Sequence, residues 1–151
     1  MAGALKNVIA IASGIAGGRN FGKNAEAMLI TRGLNEIIKM ASLIGVSYEA
    51  FLGTAGIGDL TATDTSPLSR NYTCGVRIAK GESVEHILAT SSESIEGLRS
   101  LKVAHALINE HRLVSPIVSI IYQIIYENKD IEESIKRLMR YPVTKDVDFI
   151  K

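Results

Sequence analysis

The chain of 151 residues has the length of one domain and is long enough to bury a hydrophobic core. Hydrophobic residues make up 46% and charged residues 22%, and a net charge of +1 from scattered basic residues argues against a nucleic-acid surface, which shows a basic stripe. A single cysteine, Cys74, excludes an intrachain disulfide and any Cys/His zinc set, in keeping with a reducing compartment.

The first predicted element is "GALKNVIAIASGIAGG", residues 3–18. It lacks the basic flank of a signal peptide, is interrupted by Lys6 and Asn7, and is too short to span a bilayer. It therefore reads as a buried helix of a soluble, cytoplasmic protein. Leu5, Val8, Ile9, Ala12 and Ile15 recur at helical spacing, and Lys6, Ala10, Ser13, Gly14 and Gly17 line a smooth opposite face. Such a face lets another backbone, or a ligand, come close. Lys6 stands at its end, where a charge among apolar residues is paired, snorkelling or used.

Further helices follow in order. One begins at an Asn24 cap and runs to Gly45; Ser47 caps a short "YEAFLG" helix; "TAGIGDLTATDTSPLSRN" reads as turns and loops. Arg70 to Lys80 is helical and ended by Gly81, and Ser83 caps "VEHILA". "IEGLRSLKVAHALINEH" is a long helix, and "PIVSIIYQIIYEN" starts at Pro116 with Ser115 as its cap. Asp130 and Glu133 resemble a capping box for "IEESIKRLM". His86, His105 and His111 read as surface or half-buried side chains. Strand signals are nearly absent, so the chain is expected to be one all-α domain spanning residues 1–151.

Three places break the pattern of apolar core and solvated surface: Lys6-Asn7, Asp59 within "GIGDLTAT" ahead of Thr63, and the "SRN" of Ser69, Arg70 and Asn71 at a loop-to-helix junction. Arg70 offers a planar fork suited to phosphate or carboxylate, and a helix N-terminus there would add backbone N–H donors. Each place also has an ordinary reading. Lys6 could snorkel, Asp59 could cap a helix, and "SRN" could be a simple helix start. "GIGDL" has neither the strand nor the spacing of a dinucleotide-binding turn. An anion site of lysine, aspartate and arginine is thus proposed by the residue types, with no substrate named.

At these residues the sequence resembles a known family. "GALKNVIAIASGI", "NAEAMLITRGLNEI", "GTAGIGDLTATDTSPLSRN" and "SIEGLRS", in that order, are similar to the C-terminal, substrate-binding half of bacterial NAD(P)-dependent glycerol-3-phosphate dehydrogenase. The resemblance covers nearly the whole chain and implies an all-α domain of the 6-phosphogluconate dehydrogenase C-terminal-like type. It implies interconversion of sn-glycerol 3-phosphate and dihydroxyacetone phosphate with NAD or NADP, commonly by a homodimer, at the entry to glycerophospholipid synthesis. Lys6 would be the proton acceptor, and Asn7, Asp59, Thr63, Ser69, Arg70 and Asn71 would contact substrate. Arg70, Ser94 and Glu96 would touch the cofactor, although Ser94 is polar where the family is usually apolar. No metal, nucleic acid or membrane insertion is implied.

The family's Rossmann domain lies before the lysine helix, and this chain starts at "MAGALKN". The expectation is half an enzyme, active only with that domain. Two other classes compete: a non-enzymatic helical dimerisation module, and a related domain acting on a different hydroxy acid. The residues filling all the motif positions favour the dehydrogenase. "PIVSIIYQIIYEN", with more apolar residues than one stripe needs, is expected to leave apolar surface exposed.

Overall fold

The computed structural model describes residues 2–42, 45 and 68–142. Among them are seven helices and no strand: α1 (Ala2–Gly18), α2 (Lys23–Ser42), α3 (Arg70–Ala79), α4 (Val84–Thr90), α5 (Glu96–Glu110), α6 (Pro116–Tyr126) and α7 (Ile131–Arg140). The all-α expectation holds. The predicted "YEAFLG" helix and the loop that carries Asp59 and Thr63 lie outside the described residues.

α1 is the axis of the fold. Every side chain from Val8 to Ala16 is buried, including Ser13 on the smooth face, as expected of a helix enclosed on all sides. α2 returns antiparallel to it, with Gly17 near Glu26 and Gly33 against Ile9. The smooth face receives α3. A Cβ on Gly75 would lie 2.1 Å from the Ile11 carbonyl oxygen, and one on Gly14 would lie 2.1 Å from that of Tyr72. Only two glycines allow backbones this near. Gly14 faces Gly75 and Gly18 faces Ala79, so α1 and α3 run in the same direction. α5, α6 and α2 complete the shell around α1.

α2 also fixes two distant helix ends. Glu36, buried, accepts from the Ile117 backbone N–H at 2.8 Å, from that of Val118 at 3.4 Å, and from the Ser115 hydroxyl. Arg32, one turn earlier, donates to the carbonyls of Leu138 (2.6 Å) and Tyr141 (3.0 Å) at the end of α7. A carboxylate thus sits at one helix N-terminus and a guanidinium at another's C-terminus, each the sign the helix dipole favours.

Some expectations change in detail. α2 starts at Lys23 after Gly22 (φ +89°), one residue before the predicted Asn24 cap, and its α-helical part ends at Ser42. Ser115 is the cap residue of α6 by position, but its side chain makes no cap bond to the helix; Glu36 supplies that from α2. The apolar residues of α6 (Ile117, Val118, Ile120, Ile121, Ile124, Ile125) are all buried within the chain, so this helix does not present the exposed surface expected of it. None of the described helices is long and apolar enough to cross a membrane.

Candidate active site

Because α1 and α3 run parallel, the "SRN" segment is carried to the end of the molecule where α1 begins. Ser69 caps α3: its Oγ accepts from the Tyr72 backbone N–H at 3.3 Å, which leaves the hydroxyl hydrogen to be donated outward. Arg70 is the first helical residue and is exposed. The Asn71 Oδ1 accepts from the Gly97 backbone N–H at 3.0 Å, so what Asn71 offers a ligand is its Nδ2 donors.

That bond brings the start of α5 to the same place. The Asn7 Nδ2 donates to Glu96 at 3.4 Å, tying the first turns of α1 to the first residue of α5. Gly97 makes the convergence possible. A Cβ there would fall 2.6 Å from the Asn71 Oδ1 and 2.9 Å from the Asn7 carbonyl oxygen. Three segments that are far apart in sequence, residues 6–7, 69–71 and 94–97, therefore meet at one end of a rigid axis. Lys6 and Asn7 are half-buried in the first turns of α1, and Ser94 is exposed just ahead of α5.

The predicted site residues divide accordingly. Asn7, Asn71 and Glu96 are joined through direct bonds, with Gly97 supplying the N–H that Asn71 accepts; Lys6, Ser69, Arg70 and Ser94 are held beside them by chain adjacency. Asp59 and Thr63 lie outside the described residues. Two further residues carry no functional reading in the sequence. Gly97 is visible there only as a glycine in a helix's first turn. Glu93, which forms a 2.5 Å ion pair with Arg70, looks like any charge in a polar stretch.

Beside Arg70, a cleft of about 230 Å³ runs between α3 and the segment before α5, lined by Arg70, Thr73, Arg77, Ser91, Ser92 and Glu93 among others. Burial pushes the Cys74 thiol on its wall up to about 11, which removes it as a thiolate nucleophile. A larger surface hollow of about 690 Å³ is formed by residues 130–142 and contains none of the site residues. Solvated charges of α7 account for it. Chemically, the convergent end offers a lysine, a guanidinium, a hydroxyl and an amide around a helix N-terminus, a set suited to a small phosphorylated molecule with an exchangeable proton.

Comparison with known proteins places the chain in a family. Residues 1–136 match the family described as NAD-dependent glycerol-3-phosphate dehydrogenase C-terminus. The chain is 42% identical to glycerol-3-phosphate dehydrogenase [NAD(P)+] of Staphylococcus saprophyticus over 139 residues, which is 92% of this chain and 42% of that protein. With the enzyme of the same description from Oceanobacillus iheyensis it shares 40% identity over 148 residues, or 98% of this chain and 43% of the relative. The crystal structure of glycerol-3-phosphate dehydrogenase from Coxiella burnetii superposes with a TM-score of 0.87 at 35% identity, covering 92% of this chain and 43% of that one. The chain thus spans less than half the length of these proteins. Sequence and fold agree: the chain belongs to the family of C-terminal domains of NAD-dependent glycerol-3-phosphate dehydrogenase.

Proposed function

We propose that this chain is the substrate half of an NAD(P)-dependent oxidoreductase that interconverts sn-glycerol 3-phosphate and dihydroxyacetone phosphate. The supporting observation is the convergence of Lys6-Asn7, Ser69–Asn71 and Glu96 on one end of the molecule through the Asn7–Glu96 and Asn71–Gly97 bonds. Ser69, Arg70 and Asn71 hold the phosphate, with a guanidinium, a hydroxyl and an amide at the α3 N-terminus, and so fix the C2 carbon. Lys6 exchanges the C2 hydroxyl proton: it accepts that proton as alcohol becomes ketone and returns it in the reverse direction. Asn7 orients the same end of the substrate. Asp59 and Thr63 join the site from the segment between α2 and α3.

A bound nicotinamide dinucleotide would supply the redox chemistry, as acceptor of the C2 hydride in alcohol oxidation and as its donor in ketone reduction. Arg70, Ser94 and Glu96 fit such a partner, because they offer a cation, a hydroxyl and a carboxylate in exposed positions on neighbouring segments. In this reading a Rossmann domain holds most of the cofactor, residues 1–151 form one catalytic domain, and the working unit is a homodimer in the cytoplasm. The test is Lys6→Ala, assayed with the nucleotide-binding domain supplied. The expected loss is about 10²- to 10⁴-fold in kcat with KM changed only a few-fold. An unaltered kcat rules out Lys6 as the proton carrier.

A further inference from the structure

α3 presents two arginines seven residues apart, and each already holds a carboxylate. Arg77 is gripped by Glu82 through both Nε and Nη2, at 3.0 and 2.6 Å, and its Nη2 also donates to the Thr90 hydroxyl at 2.6 Å. That group is held through three of its five N–H donors and is mostly shielded, with side-chain exposures of 24% and 32% for Arg77 and Glu82. Arg70 is held differently. Its shortest contact with Glu93 is Nη1–Oε2 at 2.5 Å, and the two side chains are 61% and 57% exposed. A solvated pair of this kind is among the weakest ion pairs in a protein and exchanges readily.

The pair sits where a phosphate is expected, at the N-terminus of α3 beside the Ser69 hydroxyl and Asn71. A phosphate dianion there meets the Arg70 fork, the Ser69 O–H and the first backbone N–H groups of α3 together, whereas Glu93 engages the guanidinium alone. The two anions also repel each other, so both cannot remain on Arg70.

Resting on the reading of Arg70 as the phosphate-holding residue, we propose that Glu93 is a resident carboxylate that occupies Arg70 until a phosphate-bearing substrate displaces it. Glu93 is thus a positioning residue that sets the affinity of the site. It keeps the guanidinium at the mouth of the cleft and lowers apparent affinity by the fraction of molecules in which the pair is closed. For an exposed pair of ordinary strength that fraction weakens binding by about two- to sixfold.

The test is an NMR titration of the 151-residue chain with inorganic phosphate and, separately, with glycerol 3-phosphate. The Arg70 and Asn71 amides and the Arg70 Nε–H report binding in the wild type, Glu93→Gln, Glu93→Asp and Arg70→Gln. Glu93→Gln should bind both anions about two- to sixfold more tightly, with the gap narrowing at high salt, while Glu93→Asp stays near the wild type and Arg70→Gln loses binding. Damage to the fold lowers affinity, whereas removal of the Glu93 charge raises it. Equal or weaker binding by Glu93→Gln overturns the proposal, as does a failure of both anions to bind wild type and Glu93→Gln. If inorganic phosphate follows the expected pattern and glycerol 3-phosphate does not bind, the exchange at Arg70 stands and the substrate assignment falls.

Discussion

Glu36 lies buried on α2, where it accepts two backbone N–H bonds and the Ser115 hydroxyl at the start of α6. Its burial holds the carboxyl above the usual carboxylate range, while those hydrogen bonds and the charge of Lys39 pull the other way without prevailing. A folded-state pKa above the unfolded one means that Glu36 contributes its stability in full below about pH 4, and that this contribution is lost as pH rises through the folded value. Glu36→Gln keeps an acceptor for the helix N-terminus and removes the titration. Urea unfolding between about pH 4 and 8 should therefore show the wild type losing stability relative to Glu36→Gln as pH increases. Glu36→Leu, which leaves the buried N–H groups without an acceptor, should cost about 1–3 kcal/mol throughout. A wild-type/Gln difference that is flat with pH would mean that the group's pKa is the same folded and unfolded.

Between elements, the decisive contact is the passage of α3 across the smooth face of α1. Gly75→Ala would set a methyl group 2.1 Å from the Ile11 carbonyl oxygen and 2.8 Å from the Ile15 nitrogen, both backbone atoms of a helix enclosed by others. Neither helix can yield without shifting, so a loss of about 3 kcal/mol is expected in denaturant unfolding. This face was legible in the sequence because small residues at helical spacing have a direct geometric meaning. Helix starts at Ser69, Ser83 and Asp130 were legible for a similar reason, since each side chain accepts from an N–H three residues on. Devices that reach across the fold were hidden. Ser115 looks like a cap, yet the acceptor for α6 comes from Glu36, 79 residues earlier. The turns after α1 and α5 use Asn20 and Arg112 at positive φ, 56° and 52°, where glycine is the residue a reader looks for. Arg112 gives no sign of this in the sequence.

For the molecule as a whole, the site rests on its least yielding part. α1 is enclosed by α2, α3, α5 and α6, so its amides should exchange with solvent only through global unfolding. Those of the short, largely exposed α4 should exchange fastest among the helices. Hydrogen exchange followed by NMR tests this, and early exchange of the amides of residues 8–16 would refute it. The polar breaks at Lys6-Asn7 and Ser69–Asn71 could be found in the sequence, but not their meeting, because that depends on parallel packing and on the space Gly97 leaves. The roles given to Lys6, Arg70 and Glu96 came from family resemblance. Glu93 was invisible, because an exposed charge acquires a role only from what stands beside it.

Arg32 and Glu36 add a consequence for how the chain tolerates change. They lie one turn apart on α2 and are read by two separate receivers, the end of α7 and the start of α6. Inserting one residue ahead of Arg32 turns both by about 100° around the helix, and inserting one between them separates their bearings by the same angle. Either edit breaks at least one of the two connections, whereas lengthening the turn ahead of α2, residues 19–22, breaks neither. Insertions and deletions should therefore be far less tolerated within α2 than in the turn that precedes it. This holds even at exposed positions of the helix, where single substitutions cost little.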